Sequence, residues 1–139
     1  MRYAVPDLVN MGALRMAKTI MIVDDSQTML MSMEGMLSKA GLGVSKANNA
    51  EEALVILKGG SKPDMIITDL NMAAMNGIQL IREVRRLPGY QFMPIVMLTT
   101  ESQQEKRDEA KSAGATGWMV KPVQPQSMLQ IVKQLVPGA

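Results

Sequence analysis

Thr19-Ile20-Met21-Ile22-Val23-Asp24-Asp25-Ser26 opens on five uncharged residues and closes on two adjacent carboxylates and a hydroxyl. A short, continuous apolar run of this kind reads as a strand buried on both faces. The same shape recurs along the chain. Met65-Ile66-Ile67-Thr68 runs into Asp69, Ile95-Val96-Met97-Leu98 into Thr99-Thr100, and Gly117-Trp118-Met119-Val120 into Lys121-Pro122. A weaker run covers Val44–Ala47. In an open parallel α/β sheet, ligands bind outside the carboxyl ends of the strands. Four polar clusters at four predicted strand ends therefore describe one site.

Amphipathic stretches fill the gaps between these runs. Ser26 is placed to cap a helix that carries Met29, Leu30, Met33, Met36, Leu37 and Ala40, and Gly41 and Gly43 stop it. Asn49 with Glu52 has the form of a capping box before Ala53, Leu54, Ile56 and Leu57. Asn76 caps a helix with Ile78, Leu80, Ile81, Val84 and Leu87, closed by Pro88-Gly89. A charged and weakly apolar helix is predicted over Gln103–Ser112. Pro125 suits the first turn of a last helix that buries Met128, Ile131, Val132 and Leu135. Five strands alternating with five helices predict a doubly wound α/β fold with a parallel sheet and right-handed crossovers.

The chain has 139 residues, which makes one domain the expectation. Residues 1–17 read as a poorly ordered N-terminal extension, and 18–137 as the folded domain. With neither cysteine nor histidine, thiol catalysis, disulfides, zinc-thiolate sites and imidazole bases are excluded. A net charge of +2 with mixed signs, and no basic stripe interleaved with aromatics, argues against nucleic acid as a partner. No apolar run reaches the roughly 18 residues of a membrane span, and Asp7 and Asn10 interrupt any signal-like core. A cytoplasmic address follows. The fifteen methionines are expected to fill core gaps.

Asp24, Asp25 and Asp69 carry the chemistry. Each alone reads as a helix cap or a solvated carboxylate. On neighbouring strand ends they would repel by roughly 1–4 kcal/mol per pair at near-surface dielectric. A hard cation relieves that cost, and magnesium, which takes oxygen ligands and keeps several waters, suits the set. Asp69 is the candidate nucleophile, because an aspartate can accept a phosphoryl group as an acyl phosphate. Lys121 can supply a point charge to phosphoryl oxygens and Thr99 a hydroxyl donor.

Over about residues 18–137 the chain resembles the receiver domains of two-component response regulators. The resemblance is carried by Ile22-Val23-Asp24-Asp25-Ser26, Asp64-Met65-Ile66-Ile67-Thr68-Asp69, Gly77, Leu98-Thr99 and Val120-Lys121-Pro122. It implies a flavodoxin-like five-stranded sheet in the order 2-1-3-4-5. Asp69 would be phosphorylated from a phosphohistidine of a sensor histidine kinase. Asp25, Asp69 and the Asn71 backbone carbonyl would ligate magnesium, and Asp24 would hold it through water. Lys121 would contact the phosphoryl group, with a cis bond to Pro122. Thr99 and Trp118 would be the switch residues, Trp118 standing where the family usually has Tyr or Phe. Ala73 replaces a frequent proline, which predicts a more mobile loop, and Thr100 replaces a frequent Ala or Gly. Asn71 and Glu101 occupy positions that tune hydrolysis of the acyl phosphate.

With no output domain expected after residue 137, the chain is expected to act by binding, as a monomeric receiver of the chemotaxis type. Its target would be the flagellar motor switch or another protein, and it would catalyse only its own phosphorylation and dephosphorylation. A phosphorelay shuttle or phosphate sink is the alternative within the family. A magnesium-dependent phosphatase of the haloacid dehalogenase type is more distant, since Asp24-Asp25-Ser26 lacks its Asp-x-Asp motif. Flavin binding on this fold would need a glycine- and hydroxyl-rich loop where the two aspartates stand.

Overall fold

The computed structural model describes residues 17–100 and 104–139. The expected N-terminal extension lies, but for Ala17, outside these residues, as does Glu101. Among the described residues five strands alternate with five helices. The strands are β1 (Thr19–Val23), β2 (Gly43–Ala47), β3 (Met65–Asp69), β4 (Ile95–Thr99) and β5 (Gly117–Val120). The helices are α1 (Gln27–Lys39), α2 (Ala50–Lys58), α3 (Gly77–Arg86), α4 (Gln104–Ala113) and α5 (Pro125–Leu135). The sheet is parallel throughout, in the order β2-β1-β3-β4-β5. That is the doubly wound, flavodoxin-like arrangement the sequence predicts.

Side-chain alternation along each strand sorts the core into two layers. Ile20 and Ile22 of β1, Met65 and Ile67 of β3, and Val96 and Leu98 of β4 pack with Leu30, Met33 and Leu37 of α1 and Met128 and Val132 of α5. The intervening residues, Met21, Val23, Ile66, Ile95 and Met97, face α2, α3 and α4. Both faces of these strands are buried, which is why they read as unbroken apolar runs. Met21, Met33, Met65, Met97 and Met128 are all fully buried, as core-filling methionines should be. Met31, two residues from Met33 and on the opposite side of α1, is 69% exposed.

Local chemistry sets most helix ends. The Ser26 hydroxyl accepts from the Met29 N–H at 3.2 Å, and Gly41 takes the left-handed φ of +83° just past α1. The capping box expected at Asn49 and Glu52 is only half formed. Asn49 accepts from the Glu52 N–H at 2.7 Å, but the Glu52 carboxylate takes the Asn48 side-chain amide instead. The complete box stands on α3, where the Asn76 side chain accepts from the Gln79 N–H at 2.9 Å and the Gln79 side chain from the Asn76 N–H at 2.8 Å. On α5 only Met128 and Val132 are buried; Ile131 and Leu135 are partly exposed, because α5 meets one edge of its layer. On α4 only Ala110 and Ala113 are buried, so few apolar groups anchor it.

Candidate functional site

Register builds the site. Val23 pairs with Thr68, so the next residues, Asp24 and Asp69, emerge side by side. Asp69 pairs with Leu98, which puts Thr99 one step further out. Thr99 pairs with Val120, which puts Lys121 one step beyond that. The Lys121 N–H donates to the Thr99 carbonyl at 3.0 Å and extends this stair past β5. The Lys121-Pro122 peptide bond is cis, as the resemblance implies.

The three carboxylates converge. Asp24, Asp25 and Asp69 each offer an oxygen, and these oxygens lie within 4.8 Å of one another. Asp24 and Asp69 are buried and Asp25 is exposed, so the cluster opens to solvent on the Asp25 side. The Lys121 ammonium reaches in from β5, 2.9 Å from Asp69 Oδ1 and 3.7 Å from Asp24 Oδ2. The Thr99 side chain is buried beside them. Asn71 lies exposed in the loop after β3, and Trp118 is half-buried on β5.

Asp24 occupies the least hospitable position for a charge. Its Oδ1 accepts from the Ser26 N–H at 2.9 Å. Its Oδ2 is buried and has no hydrogen-bond partner among the described residues. Burial pushes this carboxyl above the ordinary range; the Ser26 N–H opposes the shift, Asp69 adds to it, Lys121 opposes it, and Asp25 adds to it. The folded chain thus holds the Asp24 proton more tightly than the unfolded chain, whose value is near 3.8. Stability falls as pH rises from there through the raised value and stays lower above it. With a chelator present, Asp24→Asn should therefore raise stability at about pH 7, by about 1 kcal/mol or more. It should also flatten the pH dependence. Urea titrations across that pH range measure both, and a variant less stable than the parent at neutral pH would contradict the reading.

The donor set fits a hard divalent cation. Its side chains offer carboxylate oxygens only, one of them buried and without a hydrogen-bond partner among the described residues, in a cluster whose charges repel. Metals that favour thiolate or imidazole find no such ligand in a chain without cysteine or histidine.

Every side chain in this cluster is named from the sequence, and Gly77 is among the residues that carry the resemblance, but the packing role of Gly77 and the support given by Arg107 are not. Gly77 starts α3 against the end of β3, where a Cβ would run into the Asp69 carbonyl oxygen and lie 3.1 Å from Leu70 Cα. Its N–H donates to the Leu70 carbonyl at 2.9 Å, tying α3 to the loop that leaves the site. Arg107 of α4 lies over the Trp118 ring. The signal for the close approach at Gly77 is a glycine at the first position of a capped helix, where alanine would otherwise serve. For Arg107 the sequence carries no signal.

Known proteins agree with this geometry. The family described as the response regulator receiver domain matches residues 20–133, and the chain belongs to that family. Among curated relatives, protein PilH of Pseudomonas aeruginosa is 30% identical over 119 residues, covering 86% of this chain and 98% of PilH. Chemotaxis protein CheY1 of Helicobacter pylori is 36% identical over 108 residues, 77% of this chain and 87% of CheY1. Among solved structures, chemotaxis protein CheY4 of Vibrio cholerae superimposes with a TM-score of 0.83 at 38% identity, covering 86% of this chain and 99% of CheY4. No helix among the described residues is long and apolar enough to cross a membrane.

Proposed function

We propose that this chain is a phosphorylation-driven switch of a two-component system, acting in the cytoplasm. One observation carries the reading: three carboxylates with oxygens within 4.8 Å of one another, and a lysine ammonium 2.9 Å from the Asp69 carboxylate. An Asp69 oxygen attacks the phosphorus of a phosphohistidine on a sensor kinase. The N–P bond breaks, its electron pair returns to the imidazole, and an acyl phosphate remains on Asp69. Asp25, Asp69 and the Asn71 carbonyl would hold magnesium directly and Asp24 through water; bound there, the ion neutralises charge on the phosphoryl oxygens. Lys121 gives up part of its pairing with Asp69 to meet the new dianion. The buried Thr99 hydroxyl donates to a phosphoryl oxygen.

The readout is binding. Helix α4, strand β5 and helix α5 form the output face, and Trp118 reports its state. Several relatives are named as chemotaxis proteins, and we carry that role to this chain, with the flagellar motor switch or another chemotaxis protein as its target. The chain acts on no substrate but its own aspartate.

Incubation with magnesium and acetyl phosphate, followed by intact mass, tests the reading. One phosphoryl group should be added, and a chelator should abolish the addition. No uptake, or uptake indifferent to the chelator, would overturn it.

A further inference from the structure

Helix α4 is charged along its length. Glu109 pairs with Arg82 of α3 at 3.7 Å and with Lys106 at 3.5 Å, and Asp108 accepts from the Gln104 side chain at 2.9 Å. Arg107 makes no ion pair among the described residues. Its guanidinium carbon instead lies 5.4 Å from the centre of the Trp118 ring. Its Nε is buried and has no hydrogen-bond partner among the described residues. For that buried part of the guanidinium, the partner is the indole face. Cation–π attraction is strongest to Trp and grows as the cation loses water. With only Ala110 and Ala113 buried on α4, this stack adds a side-chain contact between α4 and β5.

We propose that Arg107 is a positioning residue that latches the Trp118 indole to α4, so that ring and helix move together and the latch opposes redirection of the indole by phosphorylation. The latch stands on the geometry alone; its opposition to phosphorylation rests on the function proposed above. A ligand shifts a two-state equilibrium only by its differential affinity. Whatever favours the starting state therefore weakens the apparent affinity for a phosphoryl group.

Trp118 is the sole tryptophan, so emission reports it alone. It lines a cleft with Lys111, Ala115, Thr116 and Gly117, within reach of a quencher. Two full-chain variants separate charge from packing. Arg107→Met keeps an apolar stem and removes the cation; Arg107→Lys keeps a cation. Acrylamide quenching is measured in chelator, and half-saturation by beryllium trifluoride in excess magnesium. Arg107→Met should raise the quenching constant about two-fold and lower the half-saturating concentration about two- to thirty-fold, the span set by typical cation–π strengths. Arg107→Lys should fall between variant and parent.

Unchanged quenching in Arg107→Met, or equal quenching in the Met and Lys variants, would overturn the latch. Raised quenching with unchanged half-saturation would overturn its opposition to the phosphoryl group. If the parent chain fails to bind the mimic at all, the proposed function falls while the quenching comparison still decides the latch.

Discussion

Asp69→Ala should abolish phosphoryl uptake while leaving a folded protein. The loss should be about three orders of magnitude or more in rate, because the attacking oxygen is removed and no neighbour can replace it. Asp24 and Asp25 are carboxylates too, and both lie within the same small cluster. They differ in setting. Asp24 Oδ1 is held by the Ser26 N–H and its Oδ2 is buried. Asp25 is exposed and stands outside the reach of Lys121, whose contacts go to Asp69 and Asp24. Only Asp69 combines the central strand of the sheet, an ammonium 2.9 Å away and two further carboxylates beside it. The fold should survive because the substitution also relieves repulsion within the cluster, offsetting the lost contact to Lys121. Intact mass after incubation with magnesium and acetyl phosphate measures the uptake, and circular dichroism checks the fold. A phosphoryl group still found on the variant, at Asp24 or Asp25, would reassign the acceptor.

The layers of the sheet and the side chains of the site were legible because both follow from patterns short in sequence. Thr19–Val23 and Gly117–Val120 are strands with the bounds read from their apolar runs. Pro125 opens α5 as expected. Parallel strands place all their carboxyl ends together, so Asp24, Asp69, Thr99 and Lys121 had to meet once the topology was known. What escaped depends on which of several possible partners a side chain meets. Glu52 has the spacing of a capping box, but Asn48 competes for its carboxylate. Arg107 and Trp118 lie on different elements, and nothing in the spacing of charged residues on α4 says which of them turns toward β5. Ile131 and Leu135 have the periodicity of core residues, yet periodicity fixes only a direction. How far the layer extends decides their exposure.

Gly77 shows the same limit, and its substitution should have the largest effect on stability. Gly77→Ala places a methyl group inside the van der Waals radius of the Asp69 carbonyl oxygen, 3.1 Å from Leu70 Cα and 3.2 Å from the Asp69 carbonyl carbon. All three are backbone atoms and cannot swing aside as a side chain could. Either β3 or the start of α3 must move, and the Gly77 N–H bond to the Leu70 carbonyl resists their separation. Overpacking costs about 1–3 kcal/mol and occasionally more, and against backbone it should exceed the roughly 1 kcal/mol by which alanine favours a helix over glycine. The displaced atoms belong to Asp69 itself, so magnesium affinity should fall along with stability. Gly35 supplies the control. It lies exposed within α1, and a Cβ there meets nothing within 4 Å. Gly35→Ala should gain about 0.5–1 kcal/mol from helix propensity alone and leave magnesium binding unchanged. Urea melts of both variants, with magnesium titrations followed by Trp118 emission, give two results of opposite sign from one chemical change. Equal stability in the two variants would mean that α3 and β3 are not packed as closely as the site requires.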